Sequence, residues 1–296
     1  MTAMATTFDD FLDTAWTDHG DHPQEVADRL AASLHLIAEP AHVPRFARLV
    51  THVYGEHLGE FASGVELLRS LRALPAYDGS GELDAALVRA VATLHCAGGD
   101  RTSLAGLARE DRVAVLAGVA SMLAGRAAYG EGIAAYGEAL ALARDGLTPG
   151  SAAIRALAIG GNSLAATLEE KPDRNPEETD AMIAAAEGAL TYWRQAGTWL
   201  EEERAHYRLT RSLLAAGKPR AAAGSAQACI DVCAANDAPA FELFFGYAVL
   251  ALARHADGDH PGFAASRARA LEQHALVPAD EHVWCEKEMT ELHALA

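Results

Sequence analysis

Three arginines, Arg204, Arg208 and Arg211, are the residues whose type and spacing best suit binding chemistry in this chain. On a helix the spacing i, i+4, i+7 puts them on one face, apart from the apolar Leu209 and Leu213 stripe. Convergent guanidiniums grip a carboxylate through paired donors. The same spacing equally serves ion pairs with Glu201, Glu202 and Glu203 or with a neighbouring helix, and exposed pairs of that kind are common and individually weak. Tyr192, Trp193, Trp199 and Tyr207 lie close by in sequence, as core residues or as aromatic lining of a binding surface.

Other candidate chemistry is thinner. Glu203-Arg204-Ala205-His206 is a Glu-x-x-His unit of the kind that faces inward in di-iron helical bundles, but such a site needs a second copy and two further glutamates, and the chain has no second copy. Of thirteen histidines, His19 and His22 flank Gly20-Asp21, His52 and His57 are five apart, and His255 and His260 straddle Asp257-Gly258-Asp259. None gives two imidazoles at i, i+4 with a carboxylate between them, so they read as surface or capping residues and no metal is expected. There is no Gly-x-x-x-x-Gly-Lys-Ser/Thr phosphate loop and no Gly-x-Ser-x-Gly nucleophile turn, which leaves no catalytic residues to name and no cofactor to expect. Cys96, Cys229, Cys233 and Cys285 sit in no short paired framework and read as core thiols in a reducing compartment.

The elements that would position the arginines are helices in pairs. Leu116, Val119, Ala120 and Leu123 stripe one helix; after a turn holding Tyr129, a second carries Gly132, Ile133, Tyr136, Ala139, Leu140 and Leu142. The pattern returns at Leu209 to Val232 around Lys218-Pro219-Arg220, and at Tyr247 to Leu271 around Gly258-Asp259-His260-Pro261-Gly262. Another pair runs from Ile154 to Leu168, then through a polar turn, Glu169 to Glu178, to Met182–Trp193. Its adjacent Gly160 and Gly161 each cost about 1 kcal/mol against alanine inside a helix, which argues for close helix approach or a kink. Earlier, Gly59-Glu60-Phe61 with Gly64, Val65, Leu68 and Leu71 reads as a turn and second helix, and Leu83 to Cys96 followed by Ser103 to Leu107 as a shortened pair. Pro278 to Ala296 reads as a closing helix, capped at Asp280, with Val283, Trp284, Met289, Leu292 and Leu295 on its apolar face.

This grammar resembles the tetratricopeptide repeat family, in a long-repeat variant: the small position of the second helix falls at Ala139, Ala189, Cys229 and Ala270, separated by 50, 40 and 41 residues against the standard 34. The resemblance implies an all-α, right-handed α-α superhelix of about six to seven helix pairs. It divides the chain into degenerate helical repeats over residues 1–110, clear repeats over 111–277 and a capping helix over 278–296, in one continuous solenoid. It further implies that the first helices line a concave groove. Arg204 and Arg208 then fall near positions that grip a peptide's terminal carboxylate in some family members, with Asn162 as the nearest match to the asparagine of the preceding unit. The earlier clamp positions hold Ala117 and Ser121 here, so the clamp is incomplete.

Composition sets the remaining bounds. A net charge of −17 repels phosphate backbones and anionic lipid, which argues against nucleic-acid and membrane partners. No 18-residue apolar run and no cationic, apolar-centred leader is present, so a cytoplasmic location is expected. The resulting expectation is a non-catalytic adaptor whose groove, with Asn162, Arg204, Tyr207, Arg208 and Arg211, binds a protein or peptide that includes an acidic segment. The alternatives are a sensor that closes around a small molecule or signal peptide, and a self-associating scaffold or homodimer that uses the C-terminal stripe.

Overall fold

The computed structural model describes residues 7–295 and, among them, fourteen α-helices and no strand. Within each unit most consecutive helices pack against one another, which is compatible with an α-α solenoid. Among the described residues no helix is long and apolar enough to cross a membrane. The chain forms two compact units, the first ending at Leu147 and the second beginning at Thr148, a division that falls inside the 111–277 stretch.

The first unit holds α1 (Phe8–Asp18), α2 (Pro23–Ala32), α3 (His42–Val50), α4 (Phe61–Ser70), α5 (Gly81–Ala97), α6 (Arg109–Gly125) and α7 (Tyr129–Ala143). α3 continues without a break into a π-helical segment, Thr51–Leu58, which stops at Gly59 in the left-handed conformation, φ 70°. That segment is central: it touches α2 to α6, buries Val53 and Tyr54, and Tyr54 donates from its hydroxyl to the Ala27 carbonyl at 3.2 Å. Phe46, Leu30, Leu49, Leu68, Leu71, Leu87 and Leu94 complete a solvent-free core around it. The expected helix at Ser103 to Leu107 is only a 3-10 turn, Arg101–Leu104, because the chain then extends at Ala105 and turns at Gly106 with φ 85°.

α6 and α7 form the pair legible in the sequence. Gly132 lets α7 rest on the α6 backbone: a Cβ there would lie 3.1 Å from the Ala120 carbonyl oxygen and 3.3 Å from the Ala124 nitrogen. Alanine usually gains about 1 kcal/mol over glycine inside a helix. Gly132→Ala is expected to reverse that sign and lower the urea midpoint, since the atoms in the way are backbone; a raised midpoint would show that the two helices part easily.

The second unit contains α8 (Ala152–Glu170), α9 (Pro176–Ala196), α10 (Trp199–Ala215), α11 (Pro219–Ala235), α12 (Ala240–Ala256), α13 (His260–His274) and α14 (His282–Ala294). Capping boxes Asn175/Glu178 and Thr198/Glu201 start α9 and α10 by satisfying orphan backbone donors. α8 reaches Glu170, so the polar turn is confined to residues 171–175, where Arg174 donates to the Leu168, Glu169 and Lys171 carbonyls that end α8. Ala139, Ala189, Cys229 and Ala270 are all fully buried, as small residues at helix crossings should be. Gly160 and Gly161 are buried on α8. The α14 N-terminus differs from expectation: a 3-10 turn, Ala279–Glu281, precedes it, and Asp280 lies within that turn instead of capping the helix.

Candidate functional site

Within the second unit α10 lies between α8 and α12, and α12 also packs on α14. The alternate packing faces of these helices leave a cavity of about 510 Å³ lined by Asn162 from α8, Glu203, Arg204, Tyr207 and Arg208 from α10, Phe241, Glu242 and Phe245 from α12, and Trp284 from α14. Four of the five residues singled out in the sequence therefore converge. Arg211 does not join them; it lines a smaller hollow of about 350 Å³, with Glu169, Leu252 and Glu291.

Each arginine has a carboxylate partner from another helix. Arg204 Nη2 donates to Glu242 Oε1 at 2.7 Å, Arg208 Nη1 to Glu169 Oε2 at 2.5 Å, and Arg211 meets both oxygens of Glu291 in a bidentate pair. Glu201, Glu202 and Glu203, the local partners by sequence, take none of them: Glu201 caps α10 and Glu202 accepts from Arg194. The three pairs differ in exposure. The Arg204 side chain is 58% exposed, whereas those of Arg208 and Arg211 are 24% and 16% exposed. Only Arg204 offers much of its guanidinium to an incoming group. Arg208 is tied into the wall, since Glu169 also accepts from Ser212 Oγ at 2.6 Å; burial raises the Glu169 pKa, and the Arg208 charge opposes that rise.

The aromatic side of the cavity is a connected set. Tyr207 and Phe245 meet edge to face with centroids 5.7 Å apart, Phe245 does the same with Phe241 and Phe244 at 5.1 Å, and Trp284 stands at the rim, 70% exposed. The Tyr207 hydroxyl donates to Glu288 Oε1, and burial followed by the Glu288 charge holds the phenol protonated well above its ordinary range. Tyr207 is thus a groove residue with a fixed polar tip.

Glu203 is the cavity-wall residue that its sequence context hides. It is 1% exposed, accepts from Cys229 Sγ at 3.0 Å through Oε1, and has no hydrogen-bond partner at Oε2. Burial pushes its carboxyl up to about 9, against the Cys229 bond and with the neighbouring Glu242 charge adding to the rise. It is neutral at pH 7. Arg208 Nε is likewise buried without a partner, so two unmet polar atoms belong to residues of the cavity wall. The signal for Glu203 lay in its register: Glu203, His206, Thr210 and Leu213 form one buried row on α10, and a carboxyl in such a row has to be satisfied or protonated. Glu203 and His206 do not share a metal site, since both ring nitrogens of His206 are engaged, with Ser225 Oγ at 3.3 Å and Arg194 at 3.1 Å. No protein family and no curated protein matches this chain.

Burial of all four cysteines agrees with their reading as core thiols.

Proposed function

We propose that this protein is a non-catalytic protein- or peptide-binding adaptor of tetratricopeptide type that works in the cytoplasm and seats a partner segment in the cavity between α8, α10, α12 and α14. The observation that carries the proposal is the convergence of an aromatic wall, one exposed guanidinium and two unmet buried polar atoms on a single 510 Å³ cavity. Aromatic and arginine side chains are the ones that dominate binding energy at interfaces, and packed helices present them without the ordering cost of a loop. The partner chemistry that fits is an extended segment with an apolar or aromatic anchor against Phe241, Phe245 and Trp284, and a nearby carboxylate on Arg204. Arg208 belongs to the wall and is already paired with Glu169, and Arg211, outside the cavity, is paired with Glu291.

The variants that test this leave the framework intact. Trp284→Ala removes an exposed ring, and Arg204→Lys keeps a cation beside Glu242 while losing the paired donors. Random peptides displayed on phage and selected on the full chain are expected to be enriched in acidic-aromatic sequences whose affinity falls about thirtyfold on Trp284→Ala, the size of a hot-spot loss of about 2 kcal/mol. Equal recovery on the parent chain and on both variants would overturn the assignment of the cavity as the binding site.

A further inference from the structure

In the first unit His19, His52 and His57 come together from two distant segments, and each offers one ring nitrogen within 4.8 Å of the others. His52 and His57 Nε2 are 3.1 Å apart. Two imidazoles bound to one tetrahedral zinc ion, with Zn–N of about 2.0–2.1 Å, place their nitrogens roughly 3.3 Å apart. The pair already stands near that separation.

The backbone explains why. Five residues carry a side chain well round an α-helix, but Thr51–Leu58 is π-helical, with i→i+5 bonding, so residues 52 and 57 stack on one face. The sequence-based dismissal of this pair assumes α geometry, which the segment does not have. π turns are concentrated at functional sites because they cost backbone regularity. Arg126 holds the end of this one, donating to the Glu56 carbonyl at 3.2 Å.

The surrounding contacts orient the rings as ligands. His19 Nδ1 donates to the Trp16 carbonyl at 2.6 Å, and His52 Nδ1 faces Glu56 Oε2 at 3.1 Å. Both bonds consume the Nδ1 proton and leave Nε2 as the lone-pair atom of the neutral ring, which is the arrangement that carbonyls and carboxylates impose behind metal-bound histidines. His57 needs only to move its proton from Nε2 to Nδ1. Trp16 closes one side at 5.2–5.3 Å from the His19 and His52 rings, and all three histidines are half-buried.

We infer that His19, His52 and His57 form a three-histidine site for a late first-row divalent cation, with Zn²⁺ the ion that the donor set and neutral imidazoles suit. Three nitrogen ligands leave a fourth position for water or a further ligand, unlike the closed four-ligand shells of structural zinc. Glu56 is the residue behind the site that positions His52.

Full-length protein stripped with chelator and titrated with Zn²⁺ by calorimetry is expected to bind one equivalent. Co²⁺ in its place is expected to give the visible absorption of a tetrahedral, nitrogen-rich shell. His52→Ala and His57→Ala should each abolish the cobalt spectrum, Glu56→Gln should weaken Zn²⁺ binding about 10–100-fold, and His35→Ala, an exposed histidine elsewhere in the unit, should change nothing. If an alanine variant fails to fold, the parent chain still decides: Zn²⁺ must shift the ring nitrogen resonances of His19, His52 and His57 together. Absence of saturable binding, or shifts at other histidines only, would overturn the inference.

Discussion

Glu203→Gln is expected to abolish an alkaline loss of stability that the parent protein shows. In the unfolded chain the Glu203 carboxyl ionises near its ordinary 4.5, whereas in the folded protein burial keeps it protonated to about 9. The native state therefore binds more protons than the unfolded state between those limits. Stability from this group is complete below pH ~4.5 and falls as pH rises to about 9, by at most about 1.4 kcal/mol per pH unit. The charged and titratable neighbours are Cys229 and Cys233 on α11, Glu242 on α12 and Arg204 on α10 itself. The hydrogen bond with Cys233, followed by burial, holds the Cys229 thiol neutral throughout that range, and Arg204 is occupied with Glu242, so neither relieves the ionised Glu203. Glutamine keeps the shape and the acceptor for Cys229 Sγ but cannot ionise. Melting curves of the two proteins should separate steadily from pH 5 to pH 9, with the variant the more stable at the alkaline end. Parallel profiles would mean that Glu203 ionises freely and that the cavity floor is wetter than its burial implies.

What the sequence discloses about this architecture depends on how local the determining physics is. α6, α7 and α9 to α13 are legible because apolar periodicity, small residues at crossings and capping boxes such as Thr198/Glu201 all act within a few residues. The π segment is not, because residues 52 and 57 fit no α or β period and the segment depends on partners such as Arg126, about 70 residues away. The candidate cavity is half legible for the same reason. That Arg204 and Arg208 share a face follows from their spacing; that Arg208 is already committed to Glu169, 39 residues earlier, and Arg204 to Glu242, 38 residues later, belongs to the tertiary packing alone. Those pairings decide which arginine can meet a ligand. They also make an Arg208→Ala test of binding unsound, since it would leave Glu169 buried without its counter-charge.

The largest loss from a single core side chain is expected at Phe244. It is fully buried on α12, meets Phe245 edge to face at 5.1 Å and the His274 ring at 5.3 Å, and packs in one cluster with Ala248, Ala270, Val277, Cys285 and Leu292. The ring thus joins α12 to α13 and α14 and supports, through Phe245, the aromatic wall of the cavity. Its alanine neighbours have no side chain to rearrange into the space, so the cavity left by Phe244→Ala should stay open at a cost of about 3–5 kcal/mol. Phe244→Leu, which keeps much of the volume, should recover the larger part. In a helical array contacts reach only to neighbouring helices, so the loss should be uneven. Amide exchange is expected to speed up most in α12, α13 and α14 and least in α8 and α9. A loss below about 1.5 kcal/mol, or exchange that accelerates uniformly across the unit, would show that α14 is held by something other than this ring.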